Sequence, residues 1–178
     1  EAFCFLYRDN MDYLREHGCE IVYFSPLHDS GLGENIGGLI LSGGYPEVYA
    51  EKLASNEPMR SQIRQQIENG LPCIAECGGF LYLHEELEGV YYPMAGVIRG
   101  RGYKTERLQR FGYLELKPES DCLLGEPGDV IRAHSFHYWD SEDKGSAFQA
   151  VKPGKRSKWR EGIASDTLYA GFPHLYFY

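Results

Sequence analysis

The stretch Leu71-Pro72-Cys73-Ile74-Ala75-Glu76-Cys77-Gly78-Gly79-Phe80 constrains this chain more than any other. An apolar strand runs directly into Cys77 and a helix begins directly after it, the layout of a nucleophile elbow. The side chain at the tip of such a turn is presented outward, and its neighbours two residues away on either side have to be small. Here they are Ala75 and Gly79. A helix starting at Gly78 turns free N–H groups and the positive end of its dipole toward the thiol, which favours thiolate and offers donors to an oxyanion. The plainer reading is a buried cysteine at a strand end, with glycines serving only the turn. Cys73, on the strand itself, reads as core.

A second glycine turn, Ser42-Gly43-Gly44-Tyr45-Pro46-Glu47, also follows an apolar run, Gly37 to Leu41. In a parallel sheet both turns lie at the carboxyl edge, where ligands bind. A backbone N–H near Gly44 can then join that of Gly78 around one oxyanion. No Gly-Lys-Ser/Thr follows, so the segment is not a phosphate-binding loop. Around these turns the pattern alternates. A helix from Asp9 to Gly18 precedes a buried strand over Cys19–Phe24 and the strand to Leu41. Helix follows from Glu47 to Leu53, and a longer one is capped by Asn56, with Met59, Ile63 and Ile67 spaced by four. After the strand to Ala75, helix is expected from Gly78 through Leu87. This predicts an α/β fold with a mostly parallel central sheet flanked by helices. The texture changes after Gly89. Phe111–Lys117, Asp129–Arg132, Ala147–Val151 and Leu168–Phe172 read as strands, some antiparallel, on the same sheet or beside it. The basic run from Lys152 to Arg160 reads as a solvated loop.

Composition narrows the function classes. With 178 residues the chain fits one domain, taken as residues 1–178. Eighteen Lys+Arg against 26 Asp+Glu leave a net charge of −8, which argues against a nucleic-acid partner. No apolar run is long enough to cross a membrane, and the first residues lack the basic segment of a signal peptide. The five cysteines show no framework spacing, so a reducing, cytoplasmic setting is expected.

A cysteine nucleophile needs a base, and there are six histidines. His17, His28 and His84 sit in polar or helical settings and read as surface residues. His134 and His137 follow a strand, without a third ligand at a spacing that suggests metal. His174 ends the last strand and reaches Cys77 if that strand neighbours the elbow. Spacing does not choose among His134, His137 and His174.

Taken in order, Glu1-Ala2-Phe3-Cys4-Phe5, Phe24-Ser25-Pro26-Leu27, Ser42 to Glu47, Ala75 to Leu83, Phe111-Gly112-Tyr113 and His134-Ser135-Phe136-His137-Tyr138 resemble a known family across essentially the whole chain. It is the carboxyl-terminal glutamine amidotransferase domain of cobyrinic acid a,c-diamide synthases. The resemblance implies a class I amidotransferase-like, flavodoxin-like three-layer fold. It implies a glutaminase that forms a cysteine thioester and supplies ammonia for amidating the a and c carboxylates of cobyrinic acid in cobalamin biosynthesis. It implies Cys77 as nucleophile and His174 as general base and acid, with Gly43, Gly44 and Gly78 forming the oxyanion hole. His134, Ser135 and Phe136 are implied to hold the α-amino and carboxylate groups of glutamine. No cofactor is implied for this domain. ATP and Mg, together with the corrinoid, are implied to belong to a preceding synthetase domain that this sequence lacks. A first strand before Glu1 and further helix after Tyr178 are likewise implied.

Several positions depart from the pattern. Tyr176 stands where class I amidotransferases commonly carry a Glu that orients the histidine. Ser135 replaces a Glu, Trp139 replaces a common Ser, and Pro173 directly precedes His174 and removes an N–H. Two rival readings therefore stand beside the glutaminase: a catalytically impaired docking or regulatory domain of the same synthetase, and a related cysteine γ-glutamyl hydrolase.

Overall fold

A computed structural model describes residues 1–88 and 92–178, so Gly89 lies outside the described residues. The chain runs α1 (Arg8–Glu16), β1 (Leu39–Leu41), a 3-10 turn (Pro46–Tyr49), α2 (Ala50–Ser55), α3 (Glu57–Glu68), β2 (Cys73–Glu76), α4 (Gly78–Tyr82), β3 (His84–Leu87), β4 (Ile98–Pro118), β5 (Ile131–Ser141), β6 (Phe148–Val151), β7 (Lys158–Glu161), β8 (Ile163–Ala164), β9 (Leu168–Gly171) and β10 (His174–Leu175).

Two sheets result. The first has the order β1-β2-β9-β8, with β1, β2 and β9 parallel and β8 antiparallel to β9. The second has the order β10-β5-β4-β6-β7, antiparallel throughout, with β3 added in parallel to β4. The expected α/β fold is present, and the antiparallel second half forms its own sheet beside the parallel one. Each parallel strand is short, with one face fully buried and Ile40 and Ile74 half-buried on the other, so Leu39–Leu41 and Cys73–Ala75 read as unbroken apolar runs. The chain passes between the sheets three times, through α4 from β2 to β3, at Gly162 from β7 to β8 and at Phe172-Pro173 from β9 to β10.

Helix α3 follows its sequence pattern: Met59, Ile63 and Ile67 are buried against the first sheet. Asn56 occupies its N-cap position without a capping bond. Its side-chain amide instead donates to the Pro26 and Asp29 carbonyls, at 2.8 Å each, and ties down the loop there.

The basic run read as a loop ends in a strand, with Lys158–Glu161 forming β7 against β6, and two further expectations fail. Cys19–Phe24 joins neither sheet. Val22 and Tyr23 are 68% and 63% exposed, and the segment borders an apolar groove of about 810 Å³ beside β1. Apolar content made it read as a strand, but no neighbouring strand supplies a ladder. The helix expected from Gly78 to Leu87 stops at Tyr82, and His84–Leu87 forms β3. His84 is consequently not a surface residue: it is fully buried, with Nδ1 at 2.9 Å from the Phe80 carbonyl and Nε2 at 2.6 Å from Ser141 Oγ. His17 and His28 are exposed, as expected.

Candidate active site

Cys77 sits between the end of β2 and the start of α4 with φ 48° and ψ −100°. A non-glycine residue rarely adopts this conformation, which costs roughly 1–3 kcal/mol and persists only where the surroundings impose it. They do so from both sides. The Cys77 N–H donates to the Gly171 carbonyl at 2.8 Å, continuing the β2–β9 ladder, and the Gly79 N–H donates to the Ser42 carbonyl at 3.1 Å. The elbow backbone is thereby pressed onto the Gly43-Gly44 turn. A Cβ on Gly78 would lie 2.7 Å from the Gly44 nitrogen, so only glycine allows this approach. The two glycine turns predicted to share an edge are in contact.

His174 arrives from the other sheet. The crossover at Phe172-Pro173 carries the chain from β9, next to β2, into β10 at the edge of β5. His174 is therefore the first residue of the second sheet after the chain leaves the first. Its imidazole is buried against Gly43, where a Cβ would lie 2.3 Å from Cε1. Phe5 and Tyr7 pack around it at 6.1 and 5.9 Å between ring centroids. Pairing of His174 with His134 stacks the two rings 4.9 Å apart, and Tyr7 Oη lies 3.1 Å from His134 Nε2.

Of the three histidines that spacing left open, the structure places His174 at the elbow and His134 directly behind it. His137 lies on the opposite face of β5, its ring stacked 3.9 Å from that of Phe172. His134 and His137 thus cannot share a ligand, and among the described residues no group of three or more His, Cys, Asp or Glu could hold a metal ion. Ser135 also faces inward, its Oγ buried and unpartnered, while Phe136 lies on His134's face and is exposed.

The electrostatics differ from the expectation of a ready thiolate. Burial pushes the Cys77 thiol up to about 12, and the negative charges of Glu47 and Glu76 add to this. The Gly78 N–H works in the opposite direction but does not prevail; α4 has only five residues. Burial thus favours the neutral thiol, and among the described residues no hydrogen bond joins Cys77 to His174. The His134 imidazole is held neutral by burial, with the charge of His174 acting the same way.

Two acids escaped the sequence reading. Glu47, just after the second glycine turn, is largely buried with Oε2 unpartnered, and burial pushes its carboxyl up. Glu76, beside Cys77, is buried; its Oε1 accepts the Leu175 N–H at 2.9 Å and its Oε2 lies 3.7 Å from His174 Nδ1. Nothing local marks either one. Tyr176, by contrast, is exposed, and its N–H bonds to the Arg132 carbonyl.

Comparison with known proteins adds the following. Residues 1–178 match a family model for the CobB/CobQ-like glutamine amidotransferase domain. The chain is 39% identical to a cobyrinate a,c-diamide synthase of Caldanaerobacter subterraneus subsp. tengcongensis, with 100% of this chain aligned to 40% of that protein. It is 37% identical to the protein of the same name from Streptococcus sanguinis, again with 100% aligned to 40%. The chain thus spans about 40% of the length of these curated relatives. Among solved structures, a glutamine amidotransferase superposes with a TM-score of 0.61 at 18% identity, covering 94% of this chain and 84% of that one. PurLQS from Thermotoga maritima superposes with 0.62 at 20% identity, covering 94% and 80%. These two likenesses concern the fold.

Proposed function

Since this chain belongs to the CobB/CobQ-like glutamine amidotransferase domain family, we propose that it hydrolyses glutamine at Cys77 and passes the ammonia to an ATP-dependent synthetase portion of a longer protein. That portion would amidate the a and c carboxylates of cobyrinic acid, as the names of the relatives suggest. Cys77 Sγ attacks the side-chain carboxamide carbon while the thiol proton passes to His174. The imidazolium returns that proton to the nitrogen, the C–N bond breaks and ammonia leaves, with glutamate held as a thioester. Water, deprotonated by His174, then cleaves the C–S bond, releasing glutamate and restoring the thiol. The N–H groups of Gly78 and of the Gly43-Gly44 turn receive the oxyanion of each tetrahedral intermediate. Each such donor is worth roughly 2.7–4 kcal/mol in a well-studied protease. The strand edge at His134-Ser135-Phe136 receives the α-amino and carboxylate groups, with the side chains of His134 and Phe136 on the accessible face and Ser135, its side chain buried, contributing backbone. ATP and Mg act on the synthetase portion, and no residue of this chain is assigned to them.

The observation that carries this reading is the strained Cys77 turn pressed onto Gly43-Gly44, with a buried imidazole against the same turn. The test is intact mass after incubation with a glutamine-mimicking diazo-ketone, followed by peptide mapping, alongside glutamate release by the wild type and Cys77→Ala. A single adduct on Cys77 and loss of glutamate release in the variant are expected. Glutamate release by Cys77→Ala at the wild-type rate would overturn the reading. Turnover of γ-glutamyl peptides in preference to free glutamine would replace the substrate.

A further inference from the structure

We propose that Glu76 is a positioning residue for His174: its buried carboxylate holds the imidazole in the tautomer that carries its proton on Nδ1 and leaves Nε2 free as the base. This rests on the reading of His174 as the base of the glutaminase.

Three observations converge. His174 Nδ1 is buried without a hydrogen-bond partner, whereas Nε2 is not among the buried, unpartnered atoms. Leaving a buried ring nitrogen without a partner is unfavourable, so a partner within reach is strongly favoured. The carboxylate facing it is Glu76, at 3.7 Å. That distance lies outside hydrogen-bond range, and a ring shift of under 1 Å closes it. Catalytic hydrogen bonds of resting sites often tighten in this way when substrate binds. The three aromatic rings around it do not compete for Nδ1: Phe5 and Tyr7 present ring faces or edges and His134 is stacked.

Glu76 is itself held in place. Its second oxygen accepts the Leu175 N–H at 2.9 Å, while the Leu175 carbonyl accepts from buried Asn10 Nδ2 at 2.9 Å. Both backbone groups of the residue after His174 are thus gripped by buried side chains, one from the nucleophile's strand and one from α1. A carboxylate accepts only, so it selects the Nδ1–H form of a neutral imidazole. Once His174 has taken the thiol proton, the same carboxylate stabilises the imidazolium.

The test uses Glu76→Gln, which keeps an acceptor for Leu175 N–H but turns an amide donor toward Nδ1. Long-range proton–nitrogen NMR of the His174 ring reads the tautomer, and steady-state glutamine hydrolysis reads turnover. Nδ1–H in the wild type, Nε2–H in the variant, and a kcat lowered on the order of 10²–10⁴-fold with KM nearly unchanged are expected. Nε2–H in the wild type, or an unchanged tautomer and kcat in the variant, would overturn the role of Glu76 while leaving the glutaminase intact. A wild type that neither turns over nor labels, yet shows Nδ1–H lost on substitution, would retain the contact and refute the glutaminase instead.

Discussion

Replacing Gly43 by alanine tests where the imidazole of His174 sits. An added methyl would meet Cε1 of His174 at 2.3 Å, its Nδ1 at 3.1 Å and Phe5 Cδ2 at 3.0 Å. Ordinary contact begins at 3.4 Å, so the ring has to retreat by at least 3.4 − 2.3 = 1.1 Å. It has little room to do so, because His134 is stacked behind it and Tyr7 closes another side. Overpacking of this kind costs about 1–3 kcal/mol. In a domain of this size each kcal/mol lowers Tm by roughly 2–4 °C. The effect on turnover is larger, since a misplacement of about 1 Å costs on the order of 10²-fold. Gly38→Ala is the control: the nearest atom to its added methyl is the Pro72 carbonyl at 3.4 Å, an ordinary contact. Glutamate release and thermal melting of both variants are the assay. A Gly43→Ala protein with wild-type kcat would refute the placement of His174 or its role as the base.

Alanine at Cys77 retains the positive φ and glycine relieves it. Cys77→Gly is therefore expected to exceed Cys77→Ala in stability by about 1 kcal/mol, measured as a denaturant midpoint, although glycine ordinarily ranks below alanine; the ordinary ranking would argue against strain at the elbow. Burial pushes the His137 imidazole down to about 4, the Arg110 charge helping and the Trp139 carbonyl opposing. The unfolded chain binds this proton below pH ~6.5 and the folded chain only below about 4. His137 thus stabilises the fold above that window, and the contribution, up to about 3 kcal/mol, is lost as pH falls through it. Thermal midpoints between about pH 7.5 and 4 should show a shallower acid slope in His137→Gln than in the wild type; equal slopes would refute the assignment.

The parts of this architecture legible in the sequence are those set by near neighbours. Small residues around Cys77 announced the elbow, and the spacing of Met59, Ile63 and Ile67 announced the buried face of α3. Burial of one face and partial cover of the other make β1 and β2 stand out as apolar runs. What escaped depends on distant partners. Cys19–Phe24 has the composition of a strand but pairs with none among the described residues. His84 reads as solvated when Leu83–Leu87 reads as helix, whereas Ser141, 57 residues away, satisfies its ring. The choice among His134, His137 and His174 turned on which side of β5 each falls and where the chain changes sheets. Glu76 gave no sign of its place in the site, because its partner at Leu175 is 99 residues downstream.

The strand order has a consequence for synthesis. β2 pairs on one side with β9, whose residues emerge long after it: Leu168 lies opposite Cys73. Contacts so remote in sequence form late and fold slowly. The ladder bond that bends the chain at Cys77 comes from Gly171, and the imidazole comes from the strand after it. A nascent chain on the ribosome thus carries its cysteine for nearly a hundred residues before either arrives. Throughout that interval it is expected to leave cellular glutamine untouched, and a polypeptide cut before Leu168 should be inert to the diazo-ketone.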